Sequence, residues 1–207
     1  NNALGFYLDG TTNFSGSGNI NVDGQNITLF NTNSSGSFAN NFNVTSTAGS
    51  SYVVGNVNNG TFYYNGTANL GANGSLINGT NSAVLLDTAS NITGTGSNIV
   101  GAVLNGQYTG TAPAGFTSAV DGENRGSIVL GDNSAGLYGT NGAKLLNKGT
   151  INVGNASIGM SGKGTGSSLT NGGNITLGAG SEGIYGNEST SIINAGIINV
   201  AEKFEVS

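Results

Sequence analysis

The chain has 207 residues, 38 of them glycine and one proline; 36% are apolar and only 7% charged, and the net charge is −5, against about 25% charged residues in an ordinary domain. No Lys or Arg precedes Arg125, so nothing offers the basic face that nucleic acid requires, and the same lack disfavours direct electrostatic attraction to anionic lipid. Cys and His are absent, which removes disulfides and thiolate or imidazole metal sites, and no apolar run reaches the ~20 residues of a membrane-spanning helix.

Low charge with moderate hydrophobicity is not the pattern of disorder, which pairs low hydrophobicity with high net charge. Asn, Ser and Thr stand where charges would be, and they bond backbone, hold turns and stack in ladders. A chain without Cys suits export in an unfolded state. No basic-then-apolar leader is visible, so an exported protein would carry this sequence as an interior piece. The last repeat copy, opening at Asn194, stops before its second strand, which points the same way.

Residues 1–123 contain short apolar runs: Phe6-Tyr7-Leu8, Ile27 to Phe30, Tyr52-Val53-Val54, Phe62-Tyr63-Tyr64, Val84-Leu85-Leu86, Ile99-Val100 and Val103-Leu104. Turn dipeptides such as Asn59-Gly60, Asn65-Gly66 and Asn105-Gly106 separate them. This reads as a degenerate form of the repeat that follows. The segment from Gly79 to Asp87 echoes that from Gly131 to Gly139, at an offset near two coils plus a small insertion. Residues 105–123, with Pro113, are the candidate for a loop leaving the main body.

Residues 124–200 repeat openly. Asn124, Asn147, Asn171 and Asn194 each open an Asn-x-Gly-x-Ile-x-(Leu/Val) copy, the last with one extra apolar residue. Three copies continue into Ser-x-Gly-(Leu/Met/Ile)-x-Gly from Ser134, Ser157 and Ser181. Apolar positions alternate, as on strands, so Val129, Asn152 and Thr176 should face outward. Leu137, Met160 and Ile184 mark a second strand, and Leu145, Leu169 and Ile192 a third. Three strands in 23–24 residues describe one coil of a parallel β-solenoid. Dividing length by period predicts about nine coils in a single solenoid over 1–207. Counting by twos from Leu145 and Ile192 puts the repeated Asn on the inward face, which predicts a structural ladder at a corner.

Asp121 and Glu123 are the best candidates for paired carboxylate chemistry, with Arg125 and Asp132 nearby, but Arg125 is equally able to neutralise its neighbours. No catalytic residue, metal ligand or cofactor site is assigned. The tandem Gly-Gly-x-Gly-x-Asp of calcium-binding rolls is missing; Gly172-Gly173-Asn174 lacks the Asp. Thr93-Gly94-Thr95 and Thr109-Gly110-Thr111 match water-ordering Thr pairs, yet do not recur at the repeat period. Tyr138 and Tyr185 share one repeat position, with Ser161 between. Asn-x-Ser/Thr sites follow from composition and matter only in a eukaryotic secretory route. Specific contact is expected at irregular features: Phe62, Tyr63 and Tyr64 in 58–67, and Pro113 and Phe116 in 105–123. Strand alternation forbids all three aromatics from facing inward, so Tyr63 alone, or Phe62 with Tyr64, should face outward.

The run Gly126-Ser-Ile-Val-Leu-Gly-Asp-Asn-Ser-Ala-Gly-Leu-Tyr-Gly139, followed by Asn147-Lys-Gly-Thr-Ile-Asn-Val-Gly154, resembles the passenger repeats of type V autotransporter adhesins, most closely the large monomeric ones of fusobacterial outer membranes. The match covers 124–200, and Gly5-Phe-Tyr-Leu-Asp-Gly10 has the same flavour. The resemblance implies a right-handed parallel β-helix, exported by a C-terminal barrel outside this chain and exposed on the bacterial surface. It implies a monomer that binds a surface protein or glycan of host cells or other bacteria, without inserting this segment in a membrane. It carries no shared catalytic residue. The other reading is a carbohydrate-active enzyme, or a sugar-holding tail fibre, on the same fold.

Overall fold

The computed structural model describes residues 3–200 except Ser34, Ala48, Pro113 and Ser118. Every strand pairing among them is parallel, and the chain winds as a right-handed β-solenoid. One face is an eight-stranded sheet whose last four strands are Val100–Asn105, Ala135–Thr140, Ile158–Lys163 and Glu182–Asn187. The other two faces belong to a 14-stranded sheet. In the first two coils single long strands, Asn13–Val22 and Ser37–Ser46, span both of those faces. From the third coil onward each splits in two, as in Thr61–Tyr64 and Thr67–Asn69, or Lys144–Asn147 and Thr150–Val153.

The split falls at the repeated glycine of Asn-x-Gly. A Cβ at Gly149 would overlap the Gly126 carbonyl oxygen, and one at Gly173 would overlap that of Gly149. In these coils a residue without a side chain lets neighbours approach at this corner; one coil earlier Ser90 takes the position, on a longer connection. The period is therefore a packing requirement carried from coil to coil.

Eight coils are present among the described residues, against the nine that length predicts. Rungs of the eight-stranded sheet follow one another at 22 to 26 residues, but Val100 pairs with Ala135, 35 residues on. The chain between Asn105 and Gly122 leaves the stack and returns, so length overestimates the coil count. The Gly79–Gly131 echo is also not a structural equivalence. Gly79 aligns with Leu104 and then Gly139, so the true offset is 60 residues. Asn-Ser-Ala makes the turn at two different corners, with Asn81 and Asn133 both in the left-handed region, and the two look alike in sequence.

The core explains why the early repeat is hard to see. One inward column runs Phe14, Phe38, Phe62, Val84, Gly122, Leu145, Leu169. The first coils fill the core with rings: Phe30, from the facing sheet, and Phe38 meet edge to face at 5.2 Å, and Phe38 and Phe62 at 6.0 Å. Later coils use aliphatic residues such as Ile128, Ile151 and Ile175, all fully buried. Side-chain volume changes along the rod while backbone register is kept.

Candidate functional site

The one large interruption of the stack, residues 106–121, is fastened by the two acids singled out in the sequence. Asp121 is buried, and its carboxylate accepts the backbone N–H groups of Tyr108 and Lys144, both at 2.7 Å. The first bond pins the outgoing limb of the loop, and the second ties its return to the next coil. Burial pushes the Asp121 carboxyl above its ordinary pKa, and those two N–H groups and the Lys144 charge partly oppose this.

Glu123 holds the far limb. Its side chain is 1% exposed and sits between Arg125, with Nε–Oε1 at 2.8 Å, and Lys148, with Nζ–Oε1 at 2.8 Å. Oε2 accepts the Thr117 N–H at 3.1 Å. Arg125 also donates to the Gly115 carbonyl at 2.6 Å and lies 3.7 Å from Asp87. Burial alone would raise the Glu123 carboxyl; the bonds from Arg125, Lys148 and Thr117 outweigh it and hold the pKa at about 2. Both carboxylates are thus engaged by donors belonging to the loop and its base. The cavity beside Asp121, lined also by Tyr108 and Lys144, is only about 100 Å³, below the 300 Å³ or more of a typical small-molecule site.

The aromatics divide as alternation requires. Phe62 and Tyr64 are fully buried in the core, and Tyr63 alone faces outward, its hydroxyl donating to Asp87 Oδ2 at 2.9 Å. Contact through Phe62 or Tyr64 is therefore corrected: both face the inside of the coil. Segment 58–67 is also not irregular, since Thr61–Tyr64 pairs in register with the strands on both sides. Through Asp87 and Arg125, Tyr63 joins the network that holds the loop. Phe116 is half-buried in that loop, and Pro113 lies outside the described residues.

The Asn ladder has a direction. Asn124 Nδ2 donates to Asn147 Oδ1, Asn147 to Asn171 and Asn171 to Asn194, each at 2.8 Å, and the first three are fully buried. The column continues backwards through Leu86, Tyr64 and Asn40. Leu86 cannot donate, and Asn124 Oδ1 is left without a partner. Tyr64 solves the corner differently, its hydroxyl donating to the Phe42 and Thr67 carbonyls. Asn40 is fully buried with both side-chain polar atoms unpaired.

Three features escaped the sequence reading. Ser157 Oγ accepts the Ser134 N–H and Ser181 Oγ the Ser157 N–H, both at 3.0 Å, a second ladder that the repeated Ser advertised. Lys148 occupies the repeat position of Arg125, directly after the ladder Asn, and that coincidence could have paired it with Glu123. The Thr93/Thr95 and Thr109/Thr111 pairs do not recur, but polar columns run beside Thr93 on the outer face. One outward column runs Thr67, Asn91, Ser127, Thr150, Asn174, and beside it run Asn69, Thr93, Val129, Asn152, Thr176. Val129 interrupts the second row, and the first ends on the exposed Ile197 in the last coil.

A scan of family models, a search of curated proteins and a search of solved structures each found no match to this chain.

Proposed function

We propose that this chain is a passenger segment of a type V autotransporter adhesin, displayed on a bacterial outer surface and binding host cells or other bacteria without chemistry of its own. One observation carries the reading. The two carboxylates best placed for acid–base work are occupied in fastening a loop to a stiff rod. A fastened loop on a rigid scaffold is how binding residues are commonly presented. The repeat from Gly126 to Gly154 supports the family, and the uncharged amide and hydroxyl columns suit a rod that stays soluble without attracting charged partners. The segment acts as a monomer and needs no cofactor.

The experiment incubates the purified 207-residue chain with epithelial cells and with bacteria, and separately with neutral and acidic polysaccharides. Saturable cell binding with polysaccharide length unchanged is the expected result. Turnover that disappears with Asp121→Asn or Glu123→Gln, or no binding to either cell type, overturns the proposal.

A further inference from the structure

A second departure from the regular coil lies far from the loop, on the outer face of the eight-stranded sheet. The pairing of Gln25–Thr32 with Ser51–Asn58 shifts register between Gln25 and Ile27. The bulge puts Asn26 in the left-handed region, with φ 57°, and leaves it exposed. Bulges re-aim side chains and recur beside functional sites. The Asn26 amide makes no hydrogen bond among the described residues, although the Asn residues around it are tied: Asn56 donates to Asn31 Oδ1 at 2.7 Å, and Asn98 to Asn73 Oδ1 at 3.3 Å.

Asn26, Asn31 and Asn73 line a concavity of about 580 Å³, within the range of ligand sites. Asn26, Asn31, Asn73 and Ser51 supply polar groups, Leu4 and Val53 supply apolar surface, and no lining residue is charged. A second depression of about 350 Å³ adjoins it, sharing Asn26 and Ile27 and bordered by Asp23. Tyr7, 50% exposed, stands next to Asn31 in the same outward column.

We propose that this bulge groove binds a neutral glycan. Sugar hydroxyls are both donors and acceptors, and the amide is the side chain that answers both. A ring's C–H face needs an apolar or aromatic platform, which Leu4 and Val53 provide in the groove and Tyr7 beside it. Sialylated or sulfated glycans meet Asp23 and a chain of net charge −5 without a cation in the groove. The inference deepens the adhesin reading by naming a ligand class, and it rests on that reading only for its biological setting.

The test is an array of neutral, sialylated and sulfated oligosaccharides probed with the whole chain and with three variants. Asn26→Gly keeps the left-handed backbone and removes the amide, Tyr7→Ser removes the platform, and Thr176→Ala changes a different face as control. All are first checked for unchanged thermal unfolding. The expected result is binding confined to neutral glycans, weakened about tenfold or more by Asn26→Gly or Tyr7→Ser and unchanged by Thr176→Ala. Preference for acidic glycans, no glycan bound, or neutral binding unaltered by both groove variants overturns the inference. Cell binding that persists in Asn26→Gly sinks the groove and leaves the adhesin reading standing; glycan binding without cell binding does the reverse.

Discussion

Asn171 shows how much of this molecule is decided by single side chains. It accepts from Asn147 and donates to Asn194 in a corner closed to water. A Leu fits the same column one rung before the ladder, at Leu86, so Asn171→Leu is sterically tolerable. Its cost is expected to come from the orphaned Asn147 amide, about 1–3 kcal/mol in urea unfolding. Unchanged stability would mean that the ladder contributes nothing. The repeated glycine is less forgiving, because its substituent would meet a backbone carbonyl rather than a movable side chain. Gly149→Ala is expected to destabilise by at least as much as Asn171→Leu in the same measurement.

The loop at 106–121 is the element whose attachment responds to pH. The Glu123 carboxyl is held at about 2, below its ordinary 4.5. A depressed carboxylate contributes stability that is complete above the unfolded value and is lost as pH falls through the folded one. Asp121 has the opposite sign: its raised pKa favours the protonated form in the folded state, so it adds no acid sensitivity of that kind. Amide protection in 106–117, measured against the intrinsic exchange rate at each pH, is therefore expected to hold from pH 8 to about 5 and to fall as pH drops toward 2. A loop equally protected at pH 3 and pH 7 would contradict the Glu123 anchor. Glu123→Gln should free the loop already at pH 7. Arg125 and Lys148 are partly exposed and keep water as an alternative partner, which limits the loss to about 1–3 kcal/mol.

At the scale of the whole molecule, the solenoid was readable from the period of Asn124, Asn147, Asn171 and Asn194, because coils stacked in register must repeat whatever their corners require. The inward phase of that Asn was readable from alternation, and so was the division of Phe62, Tyr63 and Tyr64 between the two faces, but not which of the two arrangements holds. The coil count was not, because a loop consumes length without adding a rung. The partners of Asp121 were not, because they are backbone N–H groups of Tyr108 and Lys144, which any residue would have supplied. The bulge at Asn26 left no mark either: the sequence there shows only the apolar run from Ile27 to Phe30.

Eight similar coils present similar surfaces, so a specific partner must be met where the repeat is broken. Adhesion of four forms of the chain tests this most directly: the parent, a deletion of residues 108–117, the Asn26→Gly variant, and a coil variant carrying Asn152→Ala with Thr176→Ala. Each is first confirmed folded by its β-sheet circular dichroism. Cell binding is expected to fall about tenfold or more in the deletion, in Asn26→Gly or in both, and to hold in the coil variant. Binding that survives in the deletion and in Asn26→Gly but is lost in the coil variant would place recognition on the repeated face and contradict the account.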